Sequence, residues 1–137
     1  MTSESSPESP ESIVRSFLEH LAARETDAAV ALLDDEVVWR NTGLPAFEGK
    51  RVHAMLRDMD SRGIGFDVQF HHVAASGDAV LTDRTDVIKV GPWDTAFHVR
   101  GTFEVRDGRI VLWDDAFSWI EALGSGLLGL GRILTGR

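Results

Sequence analysis

The chain has no cysteine and no tyrosine. Without cysteine, disulfides, thiolate nucleophiles and thiolate metal sites are excluded. Without tyrosine, no phenol is available to donate to a substrate oxygen or to orient one. Positive charge is scarce: 14 Lys and Arg stand against 22 Asp and Glu, a formal net charge of −8. That balance argues against a nucleic-acid partner, which needs a basic patch. No basic, apolar leader opens the chain, and no apolar run is long enough to span a bilayer. A soluble cytoplasmic protein with no membrane partner is the expectation.

What is present suits a folded domain. The 137 residues, 43% of them hydrophobic, suffice for one domain with a real core. Residues 1–8 are polar and without apolar periodicity, which predicts a disordered tail ahead of a single domain over 9–137. Ser9-Pro10 is a helix start, followed by Ile13, Phe17, Leu18 and Leu21 at helical spacing. A second short helix is expected from about Asp27 to Leu33, capped by Thr26 or Asp27. Val37 to Asn41 reads as a strand broken by Thr42-Gly43-Leu44-Pro45, and a third helix after Gly49 carries Val52, Met55, Leu56 and Met59 on one face. Sheet dominates the rest. Phe66 to Ala75, the segment around Arg84, Thr95 to Arg106 and the segment ending near Phe117 read as strands, the last two joined by a hairpin at Asp107-Gly108. Trp119 to Leu134 is Leu- and Gly-rich and reads as helix. Helices followed by an antiparallel meander indicate an α+β fold with the sheet curled around the helices.

Strand parity singles out a few charged residues. Alternate side chains share a face, so Arg84 and Asp86 lie with Val80, Thr82 and Ile88, and Asp115 with Val111, Trp113 and Phe117. Charges among apolar neighbours are costly unless paired and hydrogen-bonded. One guanidinium between two carboxylates meets that need. It also makes the two carboxyls chemically unequal, as acid–base catalysis requires. Trp39 and Asn41 share a face with Val37 and could line the same pocket. On the residues alone, Arg-x-Asp is equally a common surface pair, and Asp114-Asp115 could open a turn.

Order and spacing add to this. The chain resembles the limonene-1,2-epoxide hydrolase family from about Glu11 to the C-terminal helix. The likeness lies in Trp39-Arg40-Asn41, Gly49-Lys50, Leu81-Thr82-Asp83-Arg84-Thr85-Asp86, and Gly108-Arg109-Ile110 through Trp113-Asp114-Asp115-Ala116-Phe117. The resemblance implies a SnoaL-like, nuclear-transport-factor-like or cystatin-like α+β cone. In such a cone a strongly curved mixed sheet and N-terminal helices enclose a deep pocket. It implies a one-step addition of water to an apolar epoxide (terpenoid-, steroid- or lipid-like), giving a vicinal diol without cofactor, metal or covalent ester. Asp115 would take a proton from the attacking water, and Asp86 would protonate the epoxide oxygen. Arg84 would bridge them, and Asn41 would orient the water. Trp39 stands where the family has tyrosine, and its indole donates but cannot accept. The resemblance further implies a homodimer formed through the sheet, for which the C-terminal strands should carry a large apolar surface.

Other motifs carry blander expectations. His71 and His72 should point to opposite faces, His20 and His53 sit on helices, and no spacing supports a metal site. Gly124-x-Gly126-x-x-Gly129 spells a dinucleotide fingerprint, but the βαβ context is missing, so close helix packing or a loosened lid is expected instead. Phe47, Phe66, Phe70, Phe97, Phe103 and Trp113 read mainly as core, with some of the phenylalanines on the pocket wall. Two other functions compete: a SnoaL-like cyclase or ketosteroid-isomerase-like enzyme, and a non-catalytic module for hydrophobic small molecules. An isomerase needs a donor pair at a carbonyl, often a tyrosine, which the chain lacks. A pure binding module would have no use for a buried charged triad.

Overall fold

The computed structural model describes residues 8–135. The expected N-terminal tail lies outside them except for Glu8, as do residues 136–137. Helix α1 (Pro10–Ala22) is capped by Ser9, whose Oγ accepts from the Ser12 N–H at 3.1 Å, with Pro10 in the first turn. It buries Ile13, Val14, Phe17 and Leu18, all at most 2% exposed. Its C-terminus closes with Arg24 N–H donating to Leu21 O and Glu25 N–H to His20 O. This is the paired bonding in which a left-handed residue, usually glycine, ends a helix; here Arg24 takes it, at φ 60°. Helix α2 (Thr26–Ala31) is shorter than expected and has no side-chain cap. Leu33, assigned to it from sequence, instead opens strand β1 (Leu33–Asn41).

A two-residue strand β2 (Phe47–Glu48) pairs with β1 and leads into helix α3 (Lys50–Ser61). Four long strands follow: β3 (Ile64–Ser76), β4 (Ala79–Val90), β5 (Trp93–Arg106) and β6 (Arg109–Phe117). The spatial order is β2-β1-β6-β5-β4-β3. Every pairing is antiparallel except β1 with β6, which makes the curved, unclosed sheet mixed, as expected. The parallel pair matters for function, because it sets Asn41 beside Asp115 and Trp39 beside Trp113. Helix α1 packs on the inner face, where Leu33, Val37, Val80, Phe103, Val105, Ile110 and Trp113 complete the core.

Two bulges correct the parity reading. In β6, Val105 pairs with Ile110 but Glu104 with Leu112, so Val111 is an extra residue. Ile110, 0% exposed, therefore takes the inward place expected of Val111. In β3, Phe70 pairs with Arg84 but His72 with Asp83, which makes His71 the extra residue. Val73 turns inward, and both histidines come to the outer face: His71 bonds to Thr85 Oγ1, and His72 lies opposite Asp83. The expected split of the two histidines is thus wrong, because one inserted residue resets the alternation. Among the described residues, no group of three or more His, Cys, Asp or Glu is arranged to hold a metal.

Helix α4 (Trp119–Leu134) lies along the end of β5 that β6 does not reach. Ala96 N–H donates to Ser125 Oγ at 2.9 Å and His98 N–H to Glu121 Oε2 at 2.6 Å. Trp93 Nε1–H donates to Gly126 O and the Thr95 hydroxyl to Ala122 O, each at 2.8 Å. The approach is so close that a Cβ would stand 2.5 Å from Asp94 O on Gly129 and 3.1 Å from the Trp93 ring on Gly126, so these two glycines serve helix packing, whereas Gly124 faces open space. The other side of α4 exposes Ile120, Leu123, Leu127, Leu128 and Leu134. The large exposed apolar surface expected on the C-terminal strands is therefore on this helix; β5 and β6 carry none of the exposed large apolar residues, and only Val111 and Leu112 of β6 lie half-buried on the outer face. Among the described residues, no helix is long and apolar enough to cross a membrane.

Candidate active site

Three neighbouring strands build the charged centre. Arg84 and Asp86 come from β4, Asp115 from β6, and Gly101 of β5 lies between, paired with both Thr82 and Asp115. Arg84 is 0%, Asp86 5% and Asp115 6% exposed. The guanidinium binds Asp86 through Nε–H to Oδ1 at 2.9 Å and Nη2–H to Oδ2 at 2.7 Å. It binds Asp115 through Nη1–H to Oδ1 and Nη2–H to Oδ2, both at 3.2 Å. Nη1 also donates to Thr82 Oγ1, whose hydroxyl donates to Gly101 O, each at 3.1 Å. The guanidinium can cross β5 only because residue 101 has no side chain. A Cβ there would lie 2.6 Å from Nη1 and 2.6 Å from Asp115 Oδ1.

Aromatic residues hold Asp115 from the other side. Trp113 Nε1–H donates to Asp115 Oδ2 at 2.9 Å. The Trp113 indole stacks on Trp39, with centroids 4.1 Å apart and planes 10° off parallel. Trp39 Nε1 is buried with no hydrogen-bond partner among the described residues. A buried donor left unpaired is costly, and other atoms of Trp39 line the cavity.

Burial raises the Asp115 carboxyl above its ordinary pKa, and this outweighs the opposing pull of Arg84. For Arg84, burial works against the charge, yet Asp115 and Asp86 hold the guanidinium above its ordinary value, so it stays cationic.

The centre forms part of the wall of a cavity of about 340 Å3. Asp86, Asp115, Asn41 and Trp39 reach it among Leu56, Phe66, Val99 and Trp113. Phe47 and Phe97 line it too, whereas Phe103 is fully buried in the core. Met55, Met59, Ile64 and Ile88 add further apolar wall, and Leu44, Trp119, Arg24, Thr26 and Asp60 also reach it.

The structure thus brings together all five residues singled out in the sequence: Arg84, Asp86 and Asp115 directly bonded, Asn41 and Trp39 on the adjacent strand. Sequence reasoning missed Gly101, Thr82 and the indole N–H of Trp113. Gly101 did carry a signal, since a lone glycine inside a strand marks close approach. Thr82 was placed on the right face without a role, and Trp113 was read as core alone.

The family model described as limonene-1,2-epoxide hydrolase catalytic domain matches residues 8–126. Epoxide hydrolase EphG of Mycobacterium tuberculosis is 42% identical over 118 residues, covering 85% of this chain and 78% of that one. The solved structure of an M. tuberculosis epoxide hydrolase of the same type superposes with a TM-score of 0.88 at 38% identity, covering 93% of this chain and 96% of the other. A ketosteroid-isomerase-like protein from Catenulispora acidiphila shares the fold alone, at TM-score 0.71 and 14% identity over 83% of this chain and 91% of that one. With the model match spanning most of its length, this chain belongs to the limonene-1,2-epoxide hydrolase family.

Proposed function

We propose that the protein adds water to an apolar epoxide in one step and releases a vicinal diol. The observation that carries this is one buried guanidinium holding two carboxyls at the wall of an otherwise apolar cavity. Asn41 stands on the strand beside one of those carboxyls and not the other. Neutral water is a poor nucleophile and an alkoxide a poor leaving group, so base and acid must act together. Asp115 is the base. Asn41 is its strand neighbour, the unpaired Trp39 N–H is two residue pairs further along on the same face, and both are placed to position water next to it. A raised pKa makes Asp115 a stronger base than an ordinary carboxylate. Asp86, across the guanidinium, carries the proton delivered to the ring oxygen. Arg84 keeps the two carboxyls apart and in register. A single turnover in oxygen-labelled water tests the scheme. Label in the diol on the first turnover supports direct attack; an unlabelled first diol means an enzyme ester and overturns it.

A role reversal has two observations in its favour: the bonds of Arg84 to Asp86 are shorter than those to Asp115, and burial of Asp115 favours its protonated form. Asn41 on the Asp115 side weighs against it.

We also propose a homodimer, with α4 rather than the outer sheet face as the contact. Ile120, Leu123, Leu127, Leu130 and Leu134 follow the alternating three- and four-residue spacing of a helix–helix seam, each 43–86% exposed. At on the order of 100 Å2 each, these with Trp119 and Leu128 offer roughly 700 Å2, near the ~800 Å2 per partner of a standard interface. Light scattering should give a dimer mass at micromolar concentration, and Leu123→Lys with Leu127→Lys should give a monomer. A monomeric wild type would refute this.

A further inference from the structure

Resting on the epoxide reading of the same cavity, we propose that Arg24 is a specificity-determining residue. It offers N–H donors at the cavity to a second oxygen on the substrate, remote from the ring. Apart from the catalytic wall, the cavity is largely apolar; Arg24, Thr26 and Asp60 form a second polar pole, contributed by the end of α1, the start of α2 and the end of α3. Arg24 occupies the left-handed position that ends α1, at φ 60°, a conformation glycine adopts more cheaply. What the arginine gains there is contact with α3. Its Nη2 donates to Asp60 O at 2.9 Å and to Asp60 Oδ1 at 2.8 Å. Both bonds use one nitrogen. Among the described residues, Nε and Nη1 have no hydrogen-bond partner, although the guanidinium is aimed by Asp60 and lines the cavity.

An oriented guanidinium with free donors selects for an acceptor oxygen. The substrate class this fits is an epoxide on an apolar body that carries a hydroxyl, carbonyl or carboxylate at its other end. Asp60 offsets the charge of Arg24, so a neutral acceptor suffices and a carboxylate is not required.

The test compares three epoxides of equal chain length: unadorned, terminal alcohol and terminal acid. Arg24→Gly is the informative variant, because glycine suits the backbone at that position. Wild type should prefer the alcohol to the unadorned epoxide by about fivefold to tenfold in kcat/KM, the worth of one hydrogen bond, with the difference in KM. Arg24→Gly should abolish that preference without lowering the melting temperature. Asp60→Asn, which leaves the guanidinium uncompensated, should raise the acid relative to the alcohol. In parallel, a saturated alcohol and its parent alkane are bound without turnover, followed by tryptophan fluorescence, since Trp39, Trp113 and Trp119 line the cavity. Equal alcohol preference in wild type and Arg24→Gly overturns the assignment. So does a loss of melting temperature in Arg24→Gly with the preference intact, which would make Arg24 only a tie between α1 and α3. If no epoxide is opened yet the alcohol binds more tightly through Arg24, the reaction is wrong and the Arg24 assignment stands.

Discussion

Replacing Gly101 with alanine should push Arg84 and Asp115 apart. The new Cβ would lie 2.6 Å from Arg84 Nη1, 2.6 Å from Asp115 Oδ1 and 3.0 Å from Thr82 Oγ1, where ordinary contact begins at 3.4 Å. About 0.8 Å must therefore be found at the two closest atoms. Arg84 has no exposed surface to retreat into and is gripped by Asp86 at 2.7 Å. Asp115 is tied to Trp113 at 2.9 Å. The bonds that give way are the longest, the two at 3.2 Å between Arg84 and Asp115. Overpacking costs ~1–3 kcal/mol, and weakening the bonds of a buried carboxylate adds ~1–3 kcal/mol. A net loss of roughly 2–6 kcal/mol in urea unfolding is expected. Misplacing the base by much of an ångström should cost about 10²-fold in kcat. Gly124→Ala is the control, since nothing lies within 4 Å of its Cβ; better helix propensity should make it more stable by ~1 kcal/mol. If Gly101→Ala unfolds and turns over like wild type, the guanidinium does not cross β5 where the structure places it.

Asp86→Asn and Asp115→Asn should each abolish diol formation from a simple aliphatic epoxide while the protein stays folded. An epoxide whose opened alkoxide is stabilised by an electron-withdrawing group should restore turnover to Asp86→Asn but not to Asp115→Asn; the reverse pattern would exchange acid and base. Trp39→Tyr should keep or raise activity on small epoxides, whereas Trp39→Phe should lose ~1–3 kcal/mol of water positioning; equal rates for wild type, Tyr and Phe would remove Trp39 from the site. With Asp115 raised by burial, the acidic limb of kcat/KM should fall above the ordinary aspartate value of 3.8, and a limb at or below it would contradict the base assignment. The same shift gives stability fully present below pH 3.8 and lost as pH rises through the folded-state pKa, so acid titration of a wild-type and Asp115→Asn pair should separate in that window.

Local patterns carried much of the site, because strand parity is a two-residue rule. Arg84 with Asp86, and Trp39 with Asn41, are each two apart on one strand, so their shared faces could be read before any fold was known. Which strands neighbour which is another matter. Nothing local says that β1 runs parallel beside β6, yet that pairing puts Asn41 next to Asp115. Parity also failed wherever a residue was inserted: Val111 and His71 break the alternation, and neither has a composition that marks a bulge. The bond from Arg24 to Asp60 joins residues 36 apart on different helices, beyond the reach of any spacing rule. The exposed apolar surface expected on the C-terminal strands lies on the last helix instead, because Leu-rich periodicity shows that a helix has an apolar face but not which way it will turn it.

The seating of α4 on the end of β5 also governs how one molecule meets another. Where β6 stops, the amides of Ala96 and His98 would be an open ladder, ready to recruit a strand from another molecule and grow a sheet between chains. The helix occupies both donors with the side chains of Ser125 and Glu121. A chain cut after Ser118 would keep every catalytic side chain named above. It would carry a bare, self-templating rim into every collision with its own kind, so its failure would show first as turbidity rather than as lost turnover.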